Sequence, residues 1–275
     1  MTVGKKIAFV HRGGEGMASY RYRARMPAEA LRALGHTVSI NSGEADTLVF
    51  GKPHHDDLTL IAGAKKEGCR IIVDICDDHF AKRGVGPVYV EMAKQADLVT
   101  CPTEIMAARV REHGNIETAV IPEPYEMDEI KPHADGDQCV WFGHPGNINS
   151  ILRWKADVPK LRIISMPSPF AEDVIPWSMD RMRQELPQAN VALFPSTAAY
   201  KSNNRIVEAI RQGLWAICEQ DNEFRQFLWI GEAKTGMYLA KSFARDINGY
   251  VAAAQDYIRD RFSPAAIGLK WAQVV

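Results

Sequence analysis

Hydrophobic and polar positions along this chain alternate in two rhythms. Short, nearly continuous apolar runs have the length of buried strands. Between them lie longer stretches whose apolar residues recur every three to four positions, and this combination predicts parallel α/β units. In the first half the runs are KIAFV (6–10), TVSI (37–40), TLVFG (47–51), RIIVDI (70–75), DLVTC (97–101) and TAVIP (118–122). Helices are predicted between them, among others over PAEALRALG (27–35), DDLTLIAGAKKEG (56–68) and TEIMAARVREHG (103–114). In the last of these, Thr103 is the expected N-cap, Gly114 the stop, Ile105, Met106 and Val110 the inward face, and His113 a cation at the C-terminal end of the dipole.

The rhythm is lost over EPYEMDEIKPHADGDQ, where acidic residues, two prolines and a glycine leave no periodicity, so 123–137 reads as a linker. A second alternation follows, with runs QCVWFG (138–143), RIISM (162–166), NVALFP (190–195), WAIC (215–218) and MYLA (237–240). Helices are predicted near 147–155, 177–186, 202–212 and 222–230. The chain then closes with ARDINGYVAAAQDYIRDRF (244–262) and a last segment near 264–273. The expected organisation is a Rossmann-like domain over 1–125, a second over 126–245, and C-terminal helices over 246–275. In parallel sheets, ligands sit beyond the C-terminal ends of the strands, so two such units are expected to face a ligand cleft.

Composition narrows the picture only a little. The chain has 275 residues, 46% of them hydrophobic and 24% charged, with a net charge of −1. That balance gives no global footprint for nucleic acid or an anionic membrane. Cys69, Cys76, Cys101, Cys139 and Cys218 are scattered without a C-x-x-C pair, as expected of buried free thiols in a reducing compartment. The apolar run after MTVGKK is too short for a signal-peptide core, and no stretch has the length of a membrane span, so a cytoplasmic location is expected.

The strand-to-helix junctions carry the chemistry. At the first, VHRGGEGMASYRYRAR, Gly13, Gly14 and Gly16 let the backbone approach a ligand, or form a flexible surface turn. The loop reads G-G-x-G rather than G-x-G-x-x-G, and Ile40-Asn41 after the second strand lacks the acid of a dinucleotide site, which disfavours NAD. On a regular helix Arg21 and Arg25 share one face, with Arg23 about 200° from Arg21. That face suits a phosphate or an acidic acceptor, or is simply solvated. At the fourth junction, VDICDDHF, Asp74, Asp77 and Asp78 close a strand. Asp77 and Asp78 are the candidate catalytic carboxylates for acid/base work, or else one of them caps the next element. Neither this cluster with His79 nor the pair His54 and His55 has a zinc spacing, and no metal is expected.

In the second half, VWFGHPGNINSI repeats the strand–glycine–helix pattern. Gly143 and Gly146 are expected to free backbone amides for a phosphate or sugar hydroxyl, and Asn147 or Asn149 to cap a helix, although a simple turn would look the same. The most informative junction is LFPSTAAYKSNNRIVEAIRQG (193–213). A helix starting near Ser202 or Asn203 puts Lys201 at its N-terminus, where charge and backbone amides hold a diphosphate. Asn204 and Glu208, four apart, share a face, and Glu208 lies on the order of 10 Å along the axis from Lys201. That is the span from a nucleotide's terminal phosphate to its ribose, whose two hydroxyls a carboxylate can accept. Ile206 and Ile210 face the core, and Gly213 ends the helix.

With these residues in place, the segment resembles the nucleotide-sugar-binding helix of GT-B glycosyltransferases of the large retaining family 4 (group 1). The pattern K-x-x-N-[RK]-x-x-E-A-x-x-x-G matches Lys201, Asn204, Arg205, Glu208, Ala209 and Gly213 in order. SYRYRARMPAEALRALGHTV (19–38), DICDDHF (74–80), the run from ADLVTC through AVIPEP, VWFGHPGN (140–147) and the C-terminal RDRFSPAAIGLKWAQVV are similar to the same family. The resemblance implies two Rossmann-like domains with the last helix crossing back to the first. It also implies that Glu208 binds the donor ribose and Lys201 the diphosphate, with Asn204, Arg205, Gly14, Gly16 and Gly143 at the donor. Two positions depart from the pattern. Tyr200 stands where the family carries a first glutamate, eight residues before Glu208, and His144 and Asn147 stand in place of an Arg/Lys pair.

The expected function is therefore transfer of a sugar from a nucleotide-diphosphate sugar to an acceptor of unknown class, without metal or cofactor and with retention by resemblance. A nucleotide-sugar-binding protein without catalysis and a sugar-nucleotide epimerase are the competing readings.

Overall fold

The computed structural model describes residues 4–158, 160–167, 169, 173–195, 200, 202–218, 231–232 and 246–275. The strand expected at 237–240, the helix expected at 222–230 and Lys201 lie outside the described residues. The chain divides into two compact units, Met1–Pro124 with Tyr200–Ser202 and Phe262–Val275, and Tyr125–Ala199 with Asn203–Arg261.

In the first unit, β1 (Lys6–His11), β2 (Thr37–Ile40), β3 (Thr47–Gly51), β4 (Arg70–Asp74), β5 (Leu98–Cys101) and β6 (Thr118–Val120) form one sheet in the order β2-β1-β3-β4-β5-β6. Every pairing is parallel, and the register sets His11 beside Gly51 and Gly51 beside Asp74. Such a sheet is covered on both faces, which explains the near-continuous apolar runs. One face packs Phe50, Ile71 and Val73 against α3 (Asp57–Lys66), α4 (Gly86–Gln95) and α5 (Glu104–Arg111). Thr103 caps α5, its side chain accepting the Met106 N–H at 3.2 Å, and Met106 and Val110 point inward as expected. His113 stacks on Phe80, with ring centroids 4.2 Å apart.

The other face packs Ile7, Phe9 and Val49 against α2 (Met26–Ala33) and the C-terminal helix α10 (Pro264–Val274). Trp271 of α10 meets Phe9 edge-on at 5.6 Å. Where α10 crosses α2, a Cβ on Gly268 would lie 2.5 Å from that of Ala30, so glycine permits the close approach. α2 is preceded by a short α-turn, α1 (Ala18–Tyr20), and a π-helical turn over Arg21–Arg25, closed by the Met26 N–H on the Arg21 carbonyl.

In the second unit, β7 (Cys139–Phe142), β8 (Leu161–Ser165), β9 (Ile175–Pro176), β10 (Val191–Phe194), β11 (Trp215–Cys218) and β12 (Gly231–Glu232) form a parallel sheet in the order β12-β11-β10-β7-β8-β9. Trp141, Ile163, Val191 and Leu193 pack with α6 (Ile148–Leu152) in its core. α7 (Met179–Glu185), α8 (Asn204–Arg211) and α9 (Ile247–Phe262) complete the unit, and α9 through Arg261 groups with it rather than with the first. Gly213 ends α8 at a φ of 81°, a conformation that glycine adopts without Cβ strain. Among the described residues no helix is long and apolar enough to cross a membrane. The described cysteines are all free thiols.

Candidate functional site

The C-terminal edge of the first sheet gathers most of the unit's buried polar groups. Arg23, from the π-helical turn, reaches Asp74 at the end of β4, with Nη2 on Oδ1 at 2.5 Å and Nε on Oδ2 at 3.0 Å. Both side chains are fully enclosed, at 0% and 1% exposure. Thr100 Oγ1 donates to Asp74 at 2.7 Å, and Arg23 Nη1 donates to the Ile121 carbonyl. Burial alone would disfavour the guanidinium's charge. The contacts with Asp74 reverse that, and the Arg23 pKa rises. A buried pair made this completely neutralises itself and leaves little for a ligand.

The other two arginines of the turn do not form the open face expected of a regular helix. The π turn rephases them: Arg21 Nη1 donates to the Glu15 carbonyl at 2.7 Å, and Arg25 pairs with the Glu15 carboxylate at 3.3 Å. Both therefore brace the glycine loop from behind. Within that loop a Cβ on Gly14 or Gly16 would meet nothing within 4 Å, and both glycines are exposed. Packing does not demand glycine at either position.

Asp77 pairs with Lys52 Nζ at 2.5 Å, each side chain 28% exposed. Lys52 follows β3 with a φ of 56°, a left-handed conformation that costs a non-glycine residue on the order of 1 kcal/mol. Asp78 accepts the Phe80 N–H at 3.1 Å and the Arg109 Nε at 3.3 Å, so its oxygens hold the turn after β4. Glu123 is buried beside them, and Ser202 Oγ donates to it at 2.5 Å. Burial pushes its carboxyl up to about 6 despite the Arg23 charge. His54 and His55 are exposed and His79 half-buried, and among the described residues no group of three or more His, Cys, Asp or Glu could hold a metal.

In the second unit, α8 carries Asn204, Arg205 and Glu208 on its first turns. Arg205 folds against β7, its Nη1 donating to the Phe142 carbonyl at 3.2 Å and its guanidinium lying 5.3 Å from the Phe194 ring. A Cβ on Gly143 would come within 2.9 Å of Arg205 Nη1, so the glycine makes room for the guanidinium. No carboxylate among the described residues pairs with Arg205. Burial draws its pKa down to about 10, which leaves it cationic at neutral pH. Asn203, just before α8, is 1% exposed, and neither side-chain atom has a hydrogen-bond partner among the described residues.

Two sequence expectations about this edge are corrected. The amides of Gly143 and Gly146 are not free: the first donates to the Ile164 carbonyl at 3.1 Å and the second to His144 Nδ1 at 3.0 Å. His144, rather than Asn147 or Asn149, therefore caps the turn that leads into α6. Glu208 is 4% exposed, and its two oxygens accept the backbone N–H groups of Glu126 and Met127. Arg211, one turn on, stacks at 3.6 Å on Tyr125 and donates to the carbonyls of Met127 and Asp128. Together they pin the segment that starts the unit.

Sequence reasoning passed over Asn203 as a ligand group and over His11, which is 2% exposed with both ring nitrogens unpartnered. Neither has a spacing signal, because what marks them is the absence of a partner in the folded chain.

Two parallel Rossmann-like sheets, with a C-terminal helix packed on α2 of the first unit, define a GT-B fold. Comparison with solved structures agrees. HepE of Anabaena in complex with UDP-glucose superposes with a TM-score of 0.72 at 13% identity, covering 98% of each chain. A glycosyltransferase involved in avilamycin A biosynthesis gives 0.65 at 12% identity, covering 98% of this chain and 96% of that one. A glycosyltransferase from Rickettsia africae gives 0.65 at 11%, covering 98% and 97%. No protein-family model matches the chain, and no curated protein matches it in sequence.

Proposed function

We propose that the chain is a family 4-like glycosyltransferase that moves a sugar from a nucleotide-diphosphate sugar to an acceptor, without a metal. The observation that carries this reading is the start of α8, where the half-buried Arg205 guanidinium pairs with no carboxylate among the described residues and, two positions earlier, the buried Asn203 carboxamide has no hydrogen-bond partner among them. Cleaving a glycosyl–phosphate bond builds negative charge on the leaving diphosphate. Arg205, the α8 amides and Lys201 would stabilise that charge where it develops. Asn204 would add a neutral donor. Glu208 would bind the ribose hydroxyls by the family resemblance, a carboxylate being a suitable acceptor for two vicinal hydroxyls. Gly14, Gly16 and Gly143 are assigned to the donor by the same reading, through close backbone approach.

On the acceptor side, Asp77 and Asp78 would be the carboxylates that accept a hydroxyl proton; Asp77 is paired with Lys52, and Asp78 is held by Phe80 and Arg109. Support for the donor class comes from the shared fold with HepE, which was solved with UDP-glucose.

One observation favours a second reading, a nucleotide-sugar-binding protein without turnover. At the place of the family's first glutamate, Tyr200 packs on the first unit's core, with its ring 5.9 Å from the Arg109 guanidinium. Calorimetric titration with UDP, GDP, ADP and CMP and their sugars tests both readings. Transfer requires tight binding of one donor and its consumption, by hydrolysis or with an acceptor panel. Binding without consumption selects the second reading, and no binding sinks both.

A further inference from the structure

His11 ends β1 at the edge just described. Its backbone is clamped by one side chain, the His11 N–H donating to Asn41 Oδ1 at 2.7 Å and Asn41 Nδ2 donating to the His11 carbonyl at 2.9 Å. Asn41 adopts a φ of 58° to do so. The imidazole is fenced as closely. A Cβ on Gly51 would lie 2.6 Å from its Cδ2, and one on Gly13 would lie 2.9 Å from its Cε1. Tyr20 meets it edge-on at 5.6 Å. Two glycines, an asparagine clamp and an aromatic ring thus fix an imidazole whose Nδ1 and Nε2 make no hydrogen bond among the described residues.

A buried polar group held so firmly and left unpaired calls for a partner. Burial keeps the ring below its ordinary pKa, with Asp74 opposing and Lys52 assisting, so at neutral pH it presents one donor and one acceptor. An ionised phosphate offers acceptors only and could serve only the protonated nitrogen. A sugar hydroxyl can accept from that nitrogen or donate to the other, and two hydroxyls of one sugar could serve both. The roof over the ring is the glycine loop, where Met17 is 49% exposed and Gly14 and Gly16 have open space around them. A ligand that reaches the ring would have to displace 12–17.

We propose that His11 is a specificity-determining residue that hydrogen-bonds a neutral sugar hydroxyl at the C-terminal edge of the first sheet. The inference rests on the nucleotide-sugar reading, and either the donor's sugar or the acceptor could present that hydroxyl.

The test uses the full chain, ¹⁵N-labelled at histidine, with three probes: UDP, UDP-glucose and methyl α-glucoside. Saturating UDP-glucose or the glucoside should shift the His11 ring-nitrogen resonances, while UDP alone should not. In titrations, His11→Phe, which fills the space without hydrogen bonding, should weaken the sugar-bearing probe about tenfold and leave UDP unchanged, with His11→Gln in between. Loss confined to UDP-glucose makes the donor the source, and loss confined to the glucoside makes it the acceptor. Unchanged ring resonances, or equal losses for UDP and UDP-glucose, overturn the proposal while leaving the transferase reading intact. If the wild type binds none of the three, this proposal falls, and the transferase reading then rests on the GDP, ADP and CMP donors. Should His11→Phe fail to fold, the ring resonances of the wild type decide alone.

Discussion

Arg23 and Arg205 are both withdrawn from solvent at the C-terminal edges of parallel sheets, yet their surroundings differ. Arg23 meets the Asp74 carboxylate in three hydrogen bonds and donates to a carbonyl, and Thr100 donates to the same carboxylate. Arg205 meets one carbonyl and an aromatic face. Completing a buried ion pair makes it structural, whereas a cation with no carboxylate among the described residues would, under the proposed function, be open to an anion.

The largest test of that contrast removes the partner of Arg23. Asp74→Ala leaves an enclosed guanidinium uncompensated, and urea denaturation should show a loss of about 3–5 kcal/mol. A loss below about 1 kcal/mol would mean that the pair is not the anchor described. Glu208→Gln comes next. Its carboxylate holds two backbone amides without any ligand, so the change should cost about 1–3 kcal/mol in the apo protein. If apo stability is untouched and only nucleotide affinity falls, Glu208 belongs wholly to the ligand.

How far these roles could be read from the sequence follows from what each depends on. Ten of the twelve described strands were legible because parallel strands buried on both faces are written as continuous apolar runs, while the two-residue β9 and β12 were not; Thr103 caps its helix as its position before Glu104 predicts. α4 was not singled out; it opens on Gly86-Pro87, which reads as a turn. The 204–208 spacing was legible because helix geometry is local. The pairing of Arg23 with Asp74, 51 residues apart, was not, and neither was the π turn that redirects Arg21 and Arg25 onto Glu15. Asn203 and His11 lie furthest from sequence reasoning, because only the folded chain shows that their polar atoms lack partners.

Glu123 gives the comparison a pH axis. Its folded pKa of about 6 exceeds the ordinary 4.5, chiefly through burial. Between those values the folded chain binds more protons at this site than the unfolded chain. Stability from this group therefore falls as pH rises from about 4.5 to about 6 and stays reduced above that, by about 2 kcal/mol in all. Glu123→Gln should flatten the urea midpoint across that window. The same slope in wild type and variant would show that the Ser202 contact and the Arg23 charge keep the carboxylate ionised throughout.

The smallest effect on stability should come from Arg205→Met, and that smallness is the point. Methionine keeps most of the packing against Phe194 and removes a charge whose burial is offset by no described carboxylate. What is lost is one hydrogen bond to the Phe142 carbonyl, so the denaturation midpoint should move by no more than about 1 kcal/mol in either direction. Affinity for a nucleoside diphosphate should nevertheless fall about 10- to 100-fold, the value of a charge-assisted contact to phosphate. Arg23 and Arg205 would then have opposite signatures, stability in one case and binding in the other. A large loss of stability with unchanged affinity would instead place Arg205 beside Arg23 as a structural cation, and the anion would have to be held elsewhere on the second sheet.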